Sequence, residues 1–247
     1  KKAHHIGVFD TMFFKTLPEI AYLYAINYDI AKKYKIRKFG FHGFSHYGML
    51  KSASHILNKK TSEINLITCH LGGGSSISAI KNGKPIEISM GFSPNSGVSM
   101  MSRSGTIDSE IVFYLEKNGL KNEEIKDILN FTSGIFGISS IKDLRDIMIL
   151  CGYKIPGYKS KIKSNKNLKK RAQLALDIFI YNIQRQISSY VTLFDKLDAI
   201  VFSGGIGERN SDIRNLILKD LKILNHIKTL VVKSNEEKCM LMLSKTK

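Results

Sequence analysis

The sequence predicts a mixed α/β domain, and three features along the chain support this class. Residues 64–90 hold an apolar strand, a glycine-rich turn and two alternating strands joined by Asn82-Gly83, the pattern of a β-meander. Residues 170–194 place apolar side chains three and four positions apart, as in a long amphipathic helix. Residues 199–221 add an apolar strand, a second glycine-rich turn and a helix. This order of elements is typical of a mixed sheet with flanking helices.

The boundaries of the elements follow from periodicity and from capping residues. Pro18 suits the first turn of a helix, and Ser45 suits a helix N-cap. Strands are predicted at residues 7–11, 37–41, 64–71, 77–80, 86–90, 199–202 and 229–232. Helices are predicted at residues 18–33, 45–57, 109–117, 123–131, 170–194 and 211–221. Residues 154–171 combine many lysines with Pro156 and Gly157, which predicts an exposed loop leading into a helix.

Composition narrows the class of protein. Hydrophobic residues make up 43% and charged residues 24% of the chain, as in ordinary globular proteins. No apolar run approaches the ~20 residues of a membrane-spanning helix, and residues 6–9 are too short for a signal peptide. Cys69, Cys151 and Cys239 are far apart and form neither a disulfide framework nor a CxxC metal site. We therefore expect a reducing, cytoplasmic setting and no membrane partner.

The net charge of +17 raises the question of nucleic-acid binding. The lysines are scattered, however, and no aromatic residues are interleaved with them in a repeated pattern. We therefore expect no nucleic-acid partner. An anionic substrate such as ATP suits the same charge.

Two glycine-rich turns follow apolar strands, at residues 70–76 and 203–208. Glycine lets backbone N–H groups converge on an anion because no Cβ atom stands in the way. Neither turn is a P-loop or a complete dinucleotide-binding fingerprint. A phosphate cradle and a pair of ordinary tight turns therefore remain equally open interpretations.

Other polar residues are candidates with structural alternatives. His42 and His46 straddle a predicted strand-to-helix junction, where a histidine can contact a phosphate or simply cap the helix. A metal site there would need a third ligand, and none is obvious nearby. Arg103 lies in a turn of small residues, and a guanidinium can bind two phosphate oxygens at once. A surface arginine is the alternative. Spacing alone selects none of the 21 acidic residues.

Taken together, these segments resemble the acetate kinase family in order and in spacing. The matching segments are Val8-Phe9-Asp10-Thr11, Gly40-Phe41-His42-Gly43 with His46, His70-Leu71-Gly72, Arg103-Ser104-Gly105, Gly205-Ile206-Gly207-Glu208 and Asn235-Glu236-Glu237. The resemblance covers essentially the whole chain. It implies the fold of the actin, Hsp70 and sugar-kinase superfamily (ASKHA), and the second half of a two-domain enzyme.

The resemblance also implies an activity and the residues that perform it. The activity is reversible phosphoryl transfer between ATP and acetate, giving ADP and acetyl phosphate, with Mg²⁺ or Mn²⁺ and as a homodimer in the full-length form. Asp10, His42 and Arg103 are the expected catalytic residues, and Glu236 is the expected metal ligand. The expected ATP-binding residues are His70, Leu71, Gly72, Gly73, Gly74, Asp143, Leu144, Arg145, Gly205, Ile206, Gly207, Glu208 and Arg209.

Departures from the family pattern leave alternatives. Gly73 stands where the family usually has Asn, and this leans toward propionate or butyrate kinase. Residues 90–105 keep the acetate-like form, so acetate kinase is the leading hypothesis. A non-catalytic nucleotide-binding remnant is a third hypothesis.

The resemblance also predicts how the chain divides. Residues 1–12 are expected to be the last strand of an otherwise missing N-terminal domain. Residues 13–236 are expected to form the C-terminal nucleotide-binding domain, and residues 237–247 the start of a truncated terminal helix. We therefore expect a fragment that is inactive alone.

Overall fold

The computed structural model describes residues 5–245, and its strands form one mixed sheet. Across the sheet the order is β3-β2-β1-β4-β5. The strands are β1 (Leu66–Leu71), β2 (Ser75–Lys81), β3 (Lys84–Ile88), β4 (Ala199–Ser203) and β5 (Lys228–Val231). The first three strands pair antiparallel as the predicted meander, and β4 pairs parallel with both β1 and β5.

Helices cover the sheet and fill the connections between strands. They are α1 (Glu19–Tyr22), α2 (Tyr28–Lys33), α3 (Gly43–Ile56), α4 (Glu110–Lys117), α5 (Asn122–Phe131), α6 (Gly134–Ser139), α7 (Leu144–Leu150), α8 (Lys166–Val191), α9 (Gly204–Arg209), α10 (Ser211–Lys219) and α11 (Glu236–Lys245). Short 3-10 helices lie at Asp10–Thr16, Thr61–Glu63 and Lys222–Leu224. Within residues 5–245, no helix combines the length and the apolar character needed to cross a membrane.

The central strand β1 is covered on both faces. Ile67, Cys69 and Leu71 belong to the larger core cluster, which includes the apolar side of α8. Leu66 belongs to a second cluster together with Met49 of α3. Since side chains alternate along a strand, the polar residues of β1 lie on the same face as Leu66, toward α3. This alternation places polar groups in the interior beside α3.

Several predicted elements differ from the structure. Residues 5–9 have no helix or strand, and the 3-10 helix Asp10–Thr16 follows them, so the strand predicted at 7–11 is wrong. The strand predicted at 37–41 is also absent. In the described chain neither segment has a partner strand, and an extended segment becomes a strand only through pairing. The proposed domain boundaries remain predictions, and residues 1–4, 246 and 247 lie outside the described chain.

The helix predicted at 18–33 is divided into α1 and α2. Asn27 explains the second start, because its side chain accepts a hydrogen bond of 3.0 Å from the N–H of Ile30. The helices α6, α7 and α9 were missed, since each is only six or seven residues long. Helix α8 begins four residues before its predicted start, where Asn165 caps it by accepting from the N–H of Leu168.

Candidate functional site

The first part of the site is a carboxylate held at the N-terminus of α3. The N–H of His42 donates to Oδ2 of Asp10 at 2.6 Å, and the N–H of Phe44 donates to Oδ1 at 3.1 Å. The first N–H groups of a helix have no partner within the helix and favour negative charge. Asp10 therefore has a fixed position although it lies 32 residues before His42.

Behind this helix start lies a buried chain of hydrogen bonds between α3 and the sheet. Ser76 Oγ is 2.9 Å from His42 Nδ1 and 2.8 Å from His46 Nε2. His46 Nδ1 is 2.7 Å from Oγ1 of Thr68 on β1. The side chains of His46, Thr68 and Ser76 are completely buried. These contacts fix the ring of His42 from behind.

A third histidine stacks on the first. The rings of His42 and His70 lie 4.2 Å apart at an angle of 26°. His70 Nδ1 is 2.7 Å from Oγ of Ser45, so its ring is also held by α3. The two predicted site histidines are therefore brought together.

Burial keeps these three rings neutral at pH 7. It lowers the pKa of His42 to about 4, with a further contribution from the charge of Arg103. It lowers the pKa of His70 to about 3, also assisted by His42 and opposed by the charges of Asp10 and Glu208. The pKa of the fully buried His46 lies well below its ordinary value for the same main reason.

The first glycine turn opens in front of His42 and Arg103. A Cβ atom added at Gly74 would lie 3.1 Å from Nη1 of Arg103 and 3.2 Å from Nε2 of His42. A Cβ atom at Gly73 would meet nothing within 4 Å, so this side of the turn is open. The Arg103 backbone is held by the N–H of Met100, which donates to its carbonyl at 3.0 Å. A cation and an imidazole ring thus flank one glycine, an arrangement suited to an anion.

The second glycine segment adjoins the first, and it is a short helix rather than a turn. Gly204 has φ +78°, and a Cβ there would lie 2.6 Å from the carbonyl oxygen of Leu71. Glycine therefore allows α9 to start directly against the end of β1. The N–H nitrogen of Gly205 lies 3.9 Å from the position of a Cβ at Gly72. Behind α9, Nη1 of Arg214 donates to the carbonyls of Gly207 and Glu208 at 2.8 and 3.0 Å.

Glu236 lies at the start of α11, after β5, and Glu208 of α9 is hydrogen-bonded to the segment between β5 and α11. Glu208 Oε1 accepts a 2.6 Å hydrogen bond from the N–H of Ser234, which ties the segment before α11 to α9. Burial raises the pKa of Glu236, and the nearby charges of Asp10 and Glu237 raise it further. Asp10 and Glu236, which are 226 positions apart in the sequence, are therefore close enough to influence each other.

The remaining predicted ATP-binding residues form a separate group at the N-terminus of α7. Asp143 caps the helix by accepting from the N–H of Arg145 at 2.9 Å, and its Oδ2 lies 2.6 Å from Nη2 of the same arginine. The Arg145 guanidinium is 4.0 Å from the centre of the Tyr158 ring. Leu144 packs on the larger core cluster, as does Ile206 of α9. These residues contact one another and Tyr158.

Sequence reasoning missed Thr68 and placed Ser76 in the first glycine-rich turn. It assigned Ser45 to the N-cap of a helix, whereas α3 begins at Gly43 with His42 as its N-cap. Ser76 lies on β2, which begins at Ser75, two residues before its predicted start. Thr68 lies on a strand that was predicted correctly, and alternation along β1 could have placed it on the side opposite Ile67. Nothing in the sequence indicated that this side faces α3.

Fold and site together define an α/β domain in which two glycine-rich segments and the start of a helix form a site with the geometry suited to an anion. Residues 1–245 match the model of the Acetokinase family. The chain belongs to this family, as the resemblance predicted.

Two acetate kinases illustrate the similarity. The chain is 48% identical over 221 residues to that of Thermoanaerobacterium thermosaccharolyticum, covering 89% of this chain and 52% of the relative. It is 45% identical over 218 residues to that of Methanosarcina mazei, covering 87% and 50%. The chain thus spans about half the length of the curated relatives it matches.

Solved structures confirm the predicted fold class. The crystal structure of Porphyromonas gingivalis acetate kinase matches with a TM-score of 0.87 and 32% identity, covering 97% of this chain and 63% of the other. A propionate kinase from Francisella tularensis matches with a TM-score of 0.84 and 36% identity, covering 94% and 62%.

Proposed function

We propose that this chain supplies the nucleotide-binding part of a kinase that transfers a phosphoryl group between ATP and acetate, forming ADP and acetyl phosphate. The observation that carries the proposal is the position of Gly74 between Nε2 of His42 and Nη1 of Arg103. A metaphosphate-like transition state is stabilised by fixed positive and hydrogen-bonding groups around its equatorial oxygens. The names of the relatives support acetate as the acceptor.

Each predicted residue receives a role in this proposal. Arg103 and His42 stabilise the transferring phosphoryl group, and Asp10 acts at the reacting centre from its fixed place at α3. Residues 70–74 face the ATP phosphates. Residues 143–145 and 205–209 hold the adenosine. The adjacency of the two glycine segments supports a single nucleotide site.

The donor set near the site fits Mg²⁺ or Mn²⁺ bound together with a nucleotide. Within residues 5–245 no group of three or more acidic, histidine or cysteine side chains could hold a metal ion. Magnesium in kinases is commonly held by one or two carboxylates, with phosphates and water completing its shell. Glu236 would hold the ion near Asp10; burial raises the pKa of Glu236, and the nearby charges of Asp10 and Glu237, which raise it further, support a cation at this position. The metal would neutralise charge on the phosphates.

The proposal also covers the cellular location and the oligomeric state of the full-length protein. The three cysteines are free thiols, which supports a cytoplasmic location. Large apolar side chains such as Ile20 and Tyr28 are exposed, at 93% and 61%, which supports association into a homodimer in the full-length protein. Light scattering on that protein checks the dimer.

A chimera tests the activity. The N-terminal half of the Thermoanaerobacterium thermosaccharolyticum relative is fused to this chain, and acetyl phosphate formation from ATP is measured. We expect turnover with acetate, and negligible turnover by the present chain alone. Higher kcat/KM with propionate would favour the alternative that Gly73 suggests. A folded chimera that binds ATP without any turnover would favour a non-catalytic module and contradict the proposal.

Arg103 and Glu236 provide matched variants in the same chimera. Arg103→Ala should lower kcat by roughly 10²–10⁴, and Arg103→Lys should rescue little because an ammonium cannot bind two oxygens in a fork. The exposed Arg185 is the control, and Arg185→Ala should leave kcat unchanged. Glu236→Ala should raise the Mg²⁺ concentration for half-maximal rate, whereas Asp10→Asn should lower kcat at every Mg²⁺ concentration. Identical Mg²⁺ titrations of Glu236→Ala and Asp10→Asn would contradict the roles proposed for these two carboxylates.

A further inference from the structure

The hydroxyl group of Ser76 lies between two neutral imidazole rings. Its oxygen is 2.9 Å from His42 Nδ1 and 2.8 Å from His46 Nε2. A serine hydroxyl carries one proton to donate, and it can accept as well. If Ser76 donates to His46, then His42 must donate to Ser76; if Ser76 donates to His42, then His46 must donate to Ser76. The protonated nitrogens of the two rings are therefore linked.

Thr68 closes the far end of this chain. Its Oγ1 lies 2.7 Å from His46 Nδ1 and donates to the Ser78 carbonyl at 3.4 Å. In a first arrangement the protons point from His42 through Ser76, His46 and Thr68 to that carbonyl, which leaves a lone pair on His42 Nε2. In the reverse arrangement Thr68 donates to His46, and His42 carries its proton on Nε2.

Two observations favour the first arrangement when no anion is bound. It contains one hydrogen bond more, since Thr68 then donates to the Ser78 carbonyl. Arg103 Nη1 and His42 Nε2 also flank the same glycine, and a guanidinium disfavours an N–H directed toward it. Nε2 makes no hydrogen bond to any residue of the described chain, so it is available to a ligand. An anionic oxygen beside Nε2 would accept from an N–H and would repel a lone pair.

We propose that a phosphate-type anion bound at Gly74 reverses this chain, so that His42 becomes a neutral donor through Nε2–H. The proposal rests on the phosphate site of the proposed function. Thr68, Ser76 and His46 are then positioning residues that set the tautomer of His42. The other groups facing the ring are His70, which stacks on it, and Arg103. The two arrangements hold the same number of protons, so the net charge of the protein does not change. During the reversal His42 Nε2 takes up one proton, each proton of the chain moves one step toward Thr68, and the Thr68 end gives up one proton.

The tautomers are observed directly by NMR of the 247-residue chain labelled with ¹⁵N-histidine. Two-bond ¹H–¹⁵N spectra distinguish Nδ1–H from Nε2–H rings. Inorganic phosphate and ATP are added separately at neutral pH. We expect the Nδ1–H form for both His42 and His46 without an anion, and the Nε2–H form for both when the anion is bound. This measurement needs no turnover, so it separates failure of the inference from failure of the proposed activity.

Two substitutions of Thr68 give opposite results for a proton chain and for simple packing. Thr68→Val keeps the shape and removes the hydroxyl. A buried N–H without an acceptor costs more than an unused lone pair, so His46 should lose its Nδ1 proton and the chain should be reversed before any anion is added. Thr68→Ser keeps the hydroxyl and should behave like the parent chain. If only packing mattered, the spectrum of Thr68→Val would resemble that of the parent chain more closely than the spectrum of Thr68→Ser would.

Ser76→Ala should uncouple the rings, so that the anion changes the tautomer of His42 without changing that of His46. Ser78→Ala is the control, since its hydroxyl is buried on the same strand and donates only to the carbonyl of Glu87. Several outcomes would overturn the inference: both nitrogens of His42 protonated in the anion complex, a change at His42 alone in the parent chain, or no response of His42 to either anion. A Thr68→Val spectrum like that of the parent would also overturn it.

Discussion

Acidification from pH 8 to pH 5 should sharply destabilise this fold, because three histidines are buried as neutral rings. The folded-state pKa of His42 is about 4 and that of His70 about 3, against 6.5 for an ordinary histidine. His46 is shifted in the same direction. Between those values and 6.5 the unfolded chain binds more protons than the folded chain, so the free energy of unfolding falls as the pH falls. The stability is fully present above pH 6.5.

The size of the effect at pH 5 depends mainly on the unfolded state. Any ring whose folded pKa lies clearly below 5 stays neutral, while its unfolded counterpart takes up a proton from pH 6.5 downward. This interval of 1.5 pH units corresponds to about 2 kcal/mol for each ring, at about 1.4 kcal/mol per unit. His42 and His70 together therefore remove about 4 kcal/mol, and His46 acts in the same direction; this is a large part of the roughly 5–15 kcal/mol that stabilises a typical domain.

Urea unfolding followed by far-ultraviolet circular dichroism at pH 8, 7, 6 and 5 measures this dependence. Below pH 6 the slope of the free energy of unfolding against pH should correspond to at least two protons, and carboxylates contribute little until lower pH. His226→Gln is the control, because its ring is exposed and the slope should not change. His46→Gln should lower the slope. A free energy of unfolding that is equal at pH 8 and pH 5, or a slope below one proton, would refute the reasoning.

Two further predictions concern single positions of the site. Asp10→Ala should destabilise the chain by about 2–3 kcal/mol in urea, since two N–H groups of α3 lose a charged acceptor. In the control Asp108→Ala, one exposed carboxylate that accepts from the N–H of Glu110 is removed, and the loss of stability should be about 1 kcal/mol or less. Equal losses of stability in the two variants would show that Asp10 is an ordinary helix cap. Gly74→Ala should weaken ATP binding measured by calorimetry, because its methyl group would stand between His42 and Arg103. A side chain at position 73 faces open space, so the Gly73→Asn variant should bind ATP at least as tightly as the parent chain. Weaker binding by Gly73→Asn than by Gly74→Ala would contradict the site geometry.

Elements with a local signal were predicted well from the sequence. The meander depends on a two-residue turn at Asn82-Gly83, and α8 depends on its own apolar periodicity. The strand predicted at residues 7–11 failed for the opposite reason. An apolar run shows that a segment can be extended, but only a partner elsewhere in the chain can make it a strand. The start of α2 after its N-cap Asn27 also depended on one side chain.

The site was less accessible to local reasoning because its contacts are long-range. Asp10 binds N–H groups 32 and 34 positions later, and Ser76 joins rings 34 and 30 positions away. Resemblance to a family selected Asp10 and Glu236, since nothing in their immediate neighbourhood distinguishes them from other acidic residues. The hydrogen-bonding roles of Ser76 and Thr68 were not predicted, because a buried hydroxyl has no characteristic sequence pattern.

The alternation along β1 connects the core with the chemistry proposed for the site. One face of the strand contributes Ile67, Cys69 and Leu71 to the packing against α8. The other face directs Thr68 into the hydrogen-bonded chain that ends at His42. Apolar residues of similar volume could fill that space without acid sensitivity, since replacing both partners of a buried hydrogen bond is often nearly neutral for stability. The fold therefore does not require these polar groups. A neutral His42 ring that is held in one orientation beside Gly74 does require them.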